Sequence, residues 1–461
     1  MRKTLAAVLI SSCLFSTTGL ATEEPNFDGP LPLKKAWQDR EKRVGQWYAP
    51  ARFGIFYHWG MFTGGGDSSN EEPHPFTYDT IADFEAAARD PEMIAGNLVA
   101  TAKRMGARYI TFSLLHSCDR YEVLFPTKTP GFKMKTTRDY IGALAARCKQ
   151  EQIALLLYLC GGPEHGFDNG GPWLEEPLRD GKKYLAATKG LLDELAALHP
   201  NEIAGFWIDG NSSDLPAYMR QRFPGCIVIH SNDGGFGDPN IDYGTTEFLS
   251  GPADPDYSRP SGLVRTHPRW NILPPHRDFN EDIPSAGAWW YQPTALKGDL
   301  PYIKTPTFIV KQMVSSLGQR RQWNFALGVG PMIDGKLPPA LEPMIESLHN
   351  FFAWAAESIY DTAGGDGSAL NPGWWNDGAY GSITVSRKDA KLLYVHVTTA
   401  PGTGNLRVPN NGYRVASVTD LRTGNKIPFT DIGVLILENQ DWSDVSAFGD
   451  KVFKITLAGT P

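Results

Sequence analysis

The 461-residue chain carries 44 Lys and Arg against 51 Asp and Glu, a formal net charge of −7, and 41% of its residues are hydrophobic. This length exceeds that of a usual single domain, so we expect two domains with substantial cores. The acidic balance argues against nucleic acid and anionic membrane surfaces as partners.

The first 21 residues predict a secretory signal peptide. A basic start at Arg2 and Lys3 precedes an apolar stretch, and small residues favour cleavage after Ala21. The residues before Cys13 also resemble a lipoprotein cleavage site, but the apolar stretch continues past that cysteine, which favours plain export to the periplasm or medium. No other apolar run is long enough to span a membrane.

Four cysteines follow this segment: Cys118, Cys148, Cys160 and Cys226. They are widely spaced, form no metal-like pairs, and three lie in or beside apolar segments. This pattern favours buried free thiols, although an exported protein could also hold a disulfide.

Residues 22–360 predict an α/β fold, a (β/α)8-type barrel. Short apolar runs alternate with helical patterns, which favours βαβ units and a parallel sheet, and no G-x-G-x-x-G motif supports a nucleotide-binding alternative. The strand-like runs are 53–59, 109–116, 153–160, 203–209, 226–230 and 323–330, with 288–291 as a further candidate. The segment 231–287 lacks periodicity, and its aromatic and ionisable content predicts active-site loops.

The chain beyond the barrel changes character. Residues 341–359 carry an apolar stripe at helical spacing, which predicts a closing helix. The glycine-rich residues 361–380 predict a linker. Residues 381–461 contain short alternating runs separated by turn residues, which predict an all-β sandwich domain.

Polar and aromatic residues stand where the predicted strands end. In parallel barrels these ends meet at one face, so we expect the side chains to converge there. Histidine and carboxylate groups bind sugar hydroxyls, and tryptophan stacks on sugar rings. The histidine spacing does not suggest zinc, and we expect no metal or cofactor. Asp209 has two interpretations: it is a reactive group or, because it precedes glycine, a turn residue. The candidates for carbohydrate binding are His58, Trp59, His116, Asp119, Trp207, Trp289 and Trp290.

Five segments together resemble glycoside hydrolase family 29, the α-L-fucosidases. FGIFYHWGMFT resembles the first-strand signature of the family, and MGARYITFSLLH the segment around its second strand. IAGFWIDG is similar to the strand that carries the nucleophilic aspartate, and IDYGTTEF to a D-Y-x-T-x-E segment. FALGVGPMIDGKLPP is similar to the closing segment of the barrel. The match covers most of residues 45–461.

The resemblance implies a retaining exo-glycosidase, an α-L-fucosidase, and assigns roles to two carboxylates. By position Asp209 takes the nucleophile role. Glu247, 247 − 209 = 38 residues further along, stands where one branch of the family carries the general acid/base. Glu281 and Asp282, in a predicted loop before two tryptophans, are rivals for that second role.

The departures from the family pattern lie in the sugar pocket. The family usually has K-H-H-D-G-F after the second strand, whereas this chain has Leu115 to Tyr121 with His116 as its one histidine there. A glycine-rich loop replaces the E-W-Y segment of the family. A second hypothesis is therefore a catalytically degenerate carbohydrate-binding protein, since a fold does not fix a function. A third is a retaining glycosidase for another sugar, such as galactose.

Overall fold

The structure is a computed structural model. It describes residues 31–64, 77–117, 120–163, 171–210, 214–231, 238–245, 278–284, 289–291, 293, 304–319, 324–364, 373–374, 381–409 and 412–459. The predicted signal peptide and Cys13 lie outside these residues and stay predictions.

Eight parallel strands form a closed barrel, which confirms the predicted fold class. Each strand pairs with the next along the chain, and β1 pairs with β8 to close the ring. The buried runs suit this architecture because parallel strands are covered on both faces. The strands are β1 Phe53–Tyr57, β2 Tyr109–Leu115, β3 Ala154–Cys160, β4 Ile203–Asp209, β5 Ile227–His230, β6 Tyr243–Thr245, β7 Asp278–Pro284 and β8 Asn324–Val329.

Helices surround the barrel, and capping residues mark where several of them begin. Thr80, Asp90, Asp139 and Asp180 each accept a backbone N–H in the first turn of the helix that follows, which satisfies donors that a helix start leaves unpaired. The helices are α1 Leu31–Gln46, α2 Tyr48–Ala51, α3 Ile81–Ala87, α4 Pro91–Arg104, α5 Tyr140–Gln150, α6 Gly181–Leu198, α7 Leu215–Arg222, α8 Pro306–Gln319 and α9 Glu342–Ile359. Two 3-10 turns, Glu176–Arg179 and Pro339–Leu341, precede α6 and α9.

Two barrel strands lie where irregular loops were expected. β6 is only three residues long, and β7 has the polar sequence DFNEDIP, so neither shows an apolar run. Their pairing comes from the neighbouring strands, because β6 pairs with β5 and β7, and β7 pairs with β8. The predicted strand at 288–291 is wrong, since residues 289–291 carry no strand.

The C-terminal part forms two antiparallel sheets around a second hydrophobic core. The larger sheet has the order β10-β11-β12-β17-β14, with β9 also paired to β11, and the smaller has the order β13-β16-β15. Because β9 and β10 lie within 361–380, that segment is more than a linker. The elements are β9 Thr362–Gly364, β10 Gly373–Trp374, β11 Gly381–Ser386, β12 Leu392–Val397, β13 Leu406–Pro409, β14 Val415–Asp420, β15 Thr430–Asp431, β16 Val434–Leu437, α10 Ser443–Phe448 and β17 Lys451–Leu457.

A buried carboxylate ties α1 to the barrel on the side opposite the strand ends. Asp242, just before β6, is fully buried and lies 2.6 Å from both Arg43 of α1 and Arg220 of α7. The Arg40 side chain donates to the backbone carbonyl of Asp242 at 2.8 Å. A buried charge is tolerated only when it is paired in this way, so α1 is part of the folded unit.

Cys148, Cys160 and Cys226 are buried, and Cys148 and Cys226 are free thiols as predicted. Cys118 lies outside the described residues. None of the helices in the described part of the chain is both long and apolar enough to cross a membrane.

Candidate active site

Asp209 is the last residue of β4, at the carboxyl-end face of the barrel. Its Oδ2 accepts a 2.8 Å hydrogen bond from the Tyr158 hydroxyl of β3, and its backbone carbonyl accepts one of 2.6 Å from Gly161. Gly210 follows with φ +83°, a conformation that suits glycine and turns the chain away immediately after the carboxylate. The Tyr158 hydroxyl thus orients the carboxylate, and the Gly161 amide holds the backbone of the same residue at the edge of the sheet.

Two histidines lie beside Tyr158. The ring of His116 stacks on the Tyr158 ring with centroids 4.9 Å apart, and the His58 ring lies 5.4 Å from His116. His58 follows β1 and His116 follows β2, so three strand ends converge as expected from the barrel topology. The structure brings together His58, His116 and Asp209 around one aromatic ring.

Aromatic side chains form the rest of this face. Phe56 stacks on His58 at 4.3 Å and lies 4.8 Å from Trp207, whose indole N–H donates to the Ser231 hydroxyl at 2.8 Å. Trp289 lies 5.3 Å from the His58 ring, and Trp290 lies 5.6 Å from it. The predicted Trp207, Trp289 and Trp290 therefore belong to the same cluster.

His58 is neutral in this setting. Burial, and then the neighbouring His116, hold its pKa well below the usual 6.5, while Asp209 opposes the shift. Its buried Nδ1 has no hydrogen-bond partner among the described residues. A buried polar atom left without a partner is costly, and a bound hydroxyl group would satisfy it.

The sequence-based assignment of Trp59 to the sugar site requires correction. Its ring is fully buried and packs 5.2 Å from both Phe84 and Tyr140, and its indole N–H donates to the Met332 carbonyl. Successive strand residues point to opposite faces, so a residue adjacent to His58 points away from the cluster. Trp59 is therefore a core residue that packs on the opposite side of the sheet from His58.

Four other candidate residues have no described side chain. Asp119 and Glu247 lie outside the described residues, so their assignments stay predictions. Glu281 and Asp282 lie within β7, where only the backbone is described, so the loop predicted for them is wrong.

Sequence reasoning missed two members of the cluster, Tyr158 and Phe56. Both lie within apolar strands, where an aromatic residue is expected to be a core residue. Strand alternation could have identified both, because residues two apart on a strand lie on the same face. Phe56 lies two residues before His58. Tyr158 lies two residues before Cys160, which pairs in register with Asp209.

The cluster can bind a neutral polyhydroxylated ring and attack it. Neutral imidazoles exchange hydrogen bonds with hydroxyl groups, indole and phenyl rings cover C–H faces, and a fixed carboxylate can act as a nucleophile. A barrel with such a group at its strand ends has the architecture of a glycoside hydrolase.

Comparison with known proteins agrees with this class. The family described as Alpha-L-fucosidase matches residues 27–357. Plasma alpha-L-fucosidase of Rattus norvegicus is 22% identical over 424 residues, 82% of each chain. The chain therefore belongs to the α-L-fucosidase family and is a glycoside hydrolase.

Solved structures show the same fold at low identity. Alpha-L-fucosidase isoenzyme 1 of Paenibacillus thiaminolyticus is 19% identical, with a TM-score of 0.64 and coverage of 91% of this chain and 100% of that one. An α-L-fucosidase of Bacteroides thetaiotaomicron, solved as a trapped covalent intermediate, is 18% identical, with a TM-score of 0.63 and coverage of 94% and 97%. The Thermotoga maritima enzyme in complex with a mechanism-based inhibitor is 18% identical, with a TM-score of 0.64 and coverage of 91% and 99%.

We expect Tyr158→Phe to lower kcat by about 10- to 100-fold, because a hydrogen bond to a charged group is worth roughly 1.5–3 kcal/mol. KM should change little, since the aromatic ring that stacks on His116 remains. Steady-state kinetics on an aryl glycoside measure both constants. Tyr57→Phe is the matched control, because that hydroxyl donates to the Leu98 carbonyl. Wild-type kcat in Tyr158→Phe would show that the hydroxyl of Tyr158 does not contribute to catalysis.

Proposed function

We propose that the protein is an exo-acting α-L-fucosidase that releases terminal fucose, or a closely related sugar, through a covalent glycosyl-enzyme intermediate. The observation that carries the proposal is the arrangement around Tyr158, where the fixed Asp209 carboxylate lies beside two histidines. A carboxylate oriented by the Tyr158 hydroxyl at a strand end can act as a nucleophile on an anomeric carbon.

The aromatic residues around His58 favour a deoxysugar. Trp289 is partly exposed and supplies an apolar surface next to His58, and the buried Phe56 packs against both rings, with its centroid 6.0 Å from that of Trp289. A 6-deoxyhexose presents a methyl group in addition to its ring hydroxyls, so it matches an apolar patch beside polar groups. A 6-hydroxyl in that position would have to give up hydrogen bonds to water.

The reaction proceeds in two steps. Asp209 attacks the anomeric carbon while Glu247, protonated, gives its proton to the departing glycosidic oxygen. Glu247 then removes a proton from a water molecule, whose oxygen displaces Asp209 and releases the sugar with retained configuration. Retention requires the two carboxyl groups to lie about 5–5.5 Å apart. The covalent intermediate trapped in the Bacteroides thetaiotaomicron relative supports this order of events.

A panel of aryl glycosides tests the assignment. We expect hydrolysis of aryl α-L-fucoside, with the product anomer followed by NMR, and at least about 100-fold lower kcat/KM on aryl β-D-galactoside. The galactoside belongs to the D series, so its ring hydroxyls are arranged as the mirror image, and its 6-hydroxyl would lose water on binding. Higher kcat/KM on the galactoside would assign the enzyme to another sugar. Binding of fucose without turnover of any glycoside in the panel would instead favour a degenerate carbohydrate-binding protein.

A further inference from the structure

A chain of hydrogen bonds connects the C-terminal sheets to the last turn of α9. The Thr384 hydroxyl of β11 donates to the Ser358 carbonyl of α9 at 2.7 Å. The same hydroxyl oxygen lies 3.2 Å from Nε2 of His396 on β12, and Nδ1 of that ring lies 2.7 Å from Oδ2 of Asp450. All four residues are fully buried.

These three side chains include the atoms of a hydroxyl–histidine–carboxylate triad, but their burial excludes a second catalytic site. No substrate reaches a hydroxyl with zero exposure whose proton is already donated to a backbone carbonyl. The network must therefore act within the fold, and its location between β11 and α9 makes it a contact between the C-terminal sheets and the barrel.

Counting protons fixes the state of the network. The Ser358 carbonyl only accepts, so the single Thr384 proton is committed to it. The Thr384 oxygen can then only accept from His396, so Nε2 must carry a hydrogen. On the other side, Nδ1 and the Asp450 oxygen face each other at 2.7 Å and must share one further proton, since two lone pairs at that distance repel. The pair thus holds one proton more than a neutral histidine with an ionised aspartate.

Loss of this proton would change the contact. The remaining hydrogen on His396 would move to Nδ1 to face the carboxylate, which leaves Nε2 as an acceptor. The Thr384 hydroxyl would then turn toward Nε2 and leave the Ser358 carbonyl without its donor. That carbonyl belongs to the last turn of α9, where helix carbonyls depend on partners from outside the helix.

We propose that the buried His396–Asp450 pair retains a proton that keeps Thr384 bonded to α9, so that loss of this proton at alkaline pH weakens the attachment of the C-terminal sheets to the barrel. Burial raises the pKa of Asp450, although His396 opposes the shift, which agrees with a proton kept in the pair.

Other charges around the pair are matched locally. Asp444 on α10 is paired with Arg422 and lies 3.8 Å from Lys451. Lys451 in turn binds Asp420. Glu357 on α9 forms an exposed ion pair with Lys454 on β17. Asp444 also raises the pKa of Asp450.

Amide hydrogen exchange as a function of pH tests the proposal on the full chain. After correction for intrinsic exchange rates, protection of the amides at 359–364 and 381–386 in the wild type should fall by about three- to tenfold between about pH 6 and about pH 9, the effect of one hydrogen bond on local opening. Protection of barrel amides should not change. Constant protection at 359–364 and 381–386 in the wild type would overturn the proposal.

Asp450→Asn is the discriminating variant. An asparagine amide can donate to Nδ1 while Nε2 still donates to Thr384, so this network needs no extra proton. We expect wild-type protection at about pH 6 that no longer falls at about pH 9. Thr384→Val should show low protection at both pH values, because the contact with Ser358 is absent. Glu357→Gln, which removes the exposed ion pair of the same helix, should behave as the wild type, and a flat profile there would assign the pH response to that pair.

Discussion

Asp209→Gly should lower kcat on an aryl α-L-fucoside by on the order of 10⁴-fold, which is the typical effect of removing a catalytic nucleophile. The reason is geometric as well as chemical, because Asp209 is fixed by Tyr158 and by the Gly161 amide at the end of β4. Removing its side chain leaves a cavity on the face from which the anomeric carbon is attacked.

Azide should restore part of this activity. A small anion in the cavity attacks the substrate directly, so the product is a fucosyl azide of inverted configuration, which NMR identifies. Asp214→Asn is the matched control, since Asp214 follows the same strand but pairs with the exposed side of α6 through Lys189. If Asp209→Gly kept wild-type kcat, or gave a retained azide product, Asp209 would not be the nucleophile.

Glu247→Gln should lower kcat by about 10²- to 10⁴-fold on substrates with poor leaving groups, the contribution typical of general acid catalysis. Aryl fucosides with acidic phenols need little protonation and should lose far less in the first step. A plot of log kcat/KM against leaving-group pKa should therefore become much steeper than in the wild type. Because the general acid must be protonated, we expect wild-type activity to decline at alkaline pH, and this decline should weaken in the variant.

Azide distinguishes the two carboxylates. In Glu247→Ala it should attack the glycosyl-enzyme formed on Asp209 and yield a fucosyl azide of retained configuration. Glu281→Gln and Asp282→Asn serve as the controls, because both residues lie in β7 of the same barrel. Should either control show the steeper leaving-group dependence while Glu247→Gln does not, the general acid/base role would pass to that residue.

The barrel was predictable where strands are buried on both faces. β1 to β5 and β8 consist mainly of apolar residues, and the sequence marks them. β6 and β7 were not predictable, because three residues and a run with four polar positions carry no periodic signal. They become strands through backbone pairing with β5 and β8, which is a property of the closed ring and not of the local sequence.

The candidate site was predictable to the extent that it consists of polar strand ends. His58, His116 and Asp209 stand out because each is a polar residue directly after or at the end of an apolar run. Trp59 is adjacent to His58 in sequence, but strand alternation directs its side chain into the core, so its assignment to the site was wrong. Tyr158 escaped notice because a tyrosine inside an apolar run resembles an ordinary core residue until the register of β3 and β4 is known.

The arginine pairs of Asp242 also determine where the chain can be shortened. Deleting the residues up to 46 would remove Arg40 and Arg43 and leave the buried carboxylate with Arg220 as its remaining charged partner among the described residues. Taking one partner from a buried pair is strongly destabilising. A trimmed protein for crystallisation should therefore keep the whole of α1, even though β1 is the first strand of the barrel.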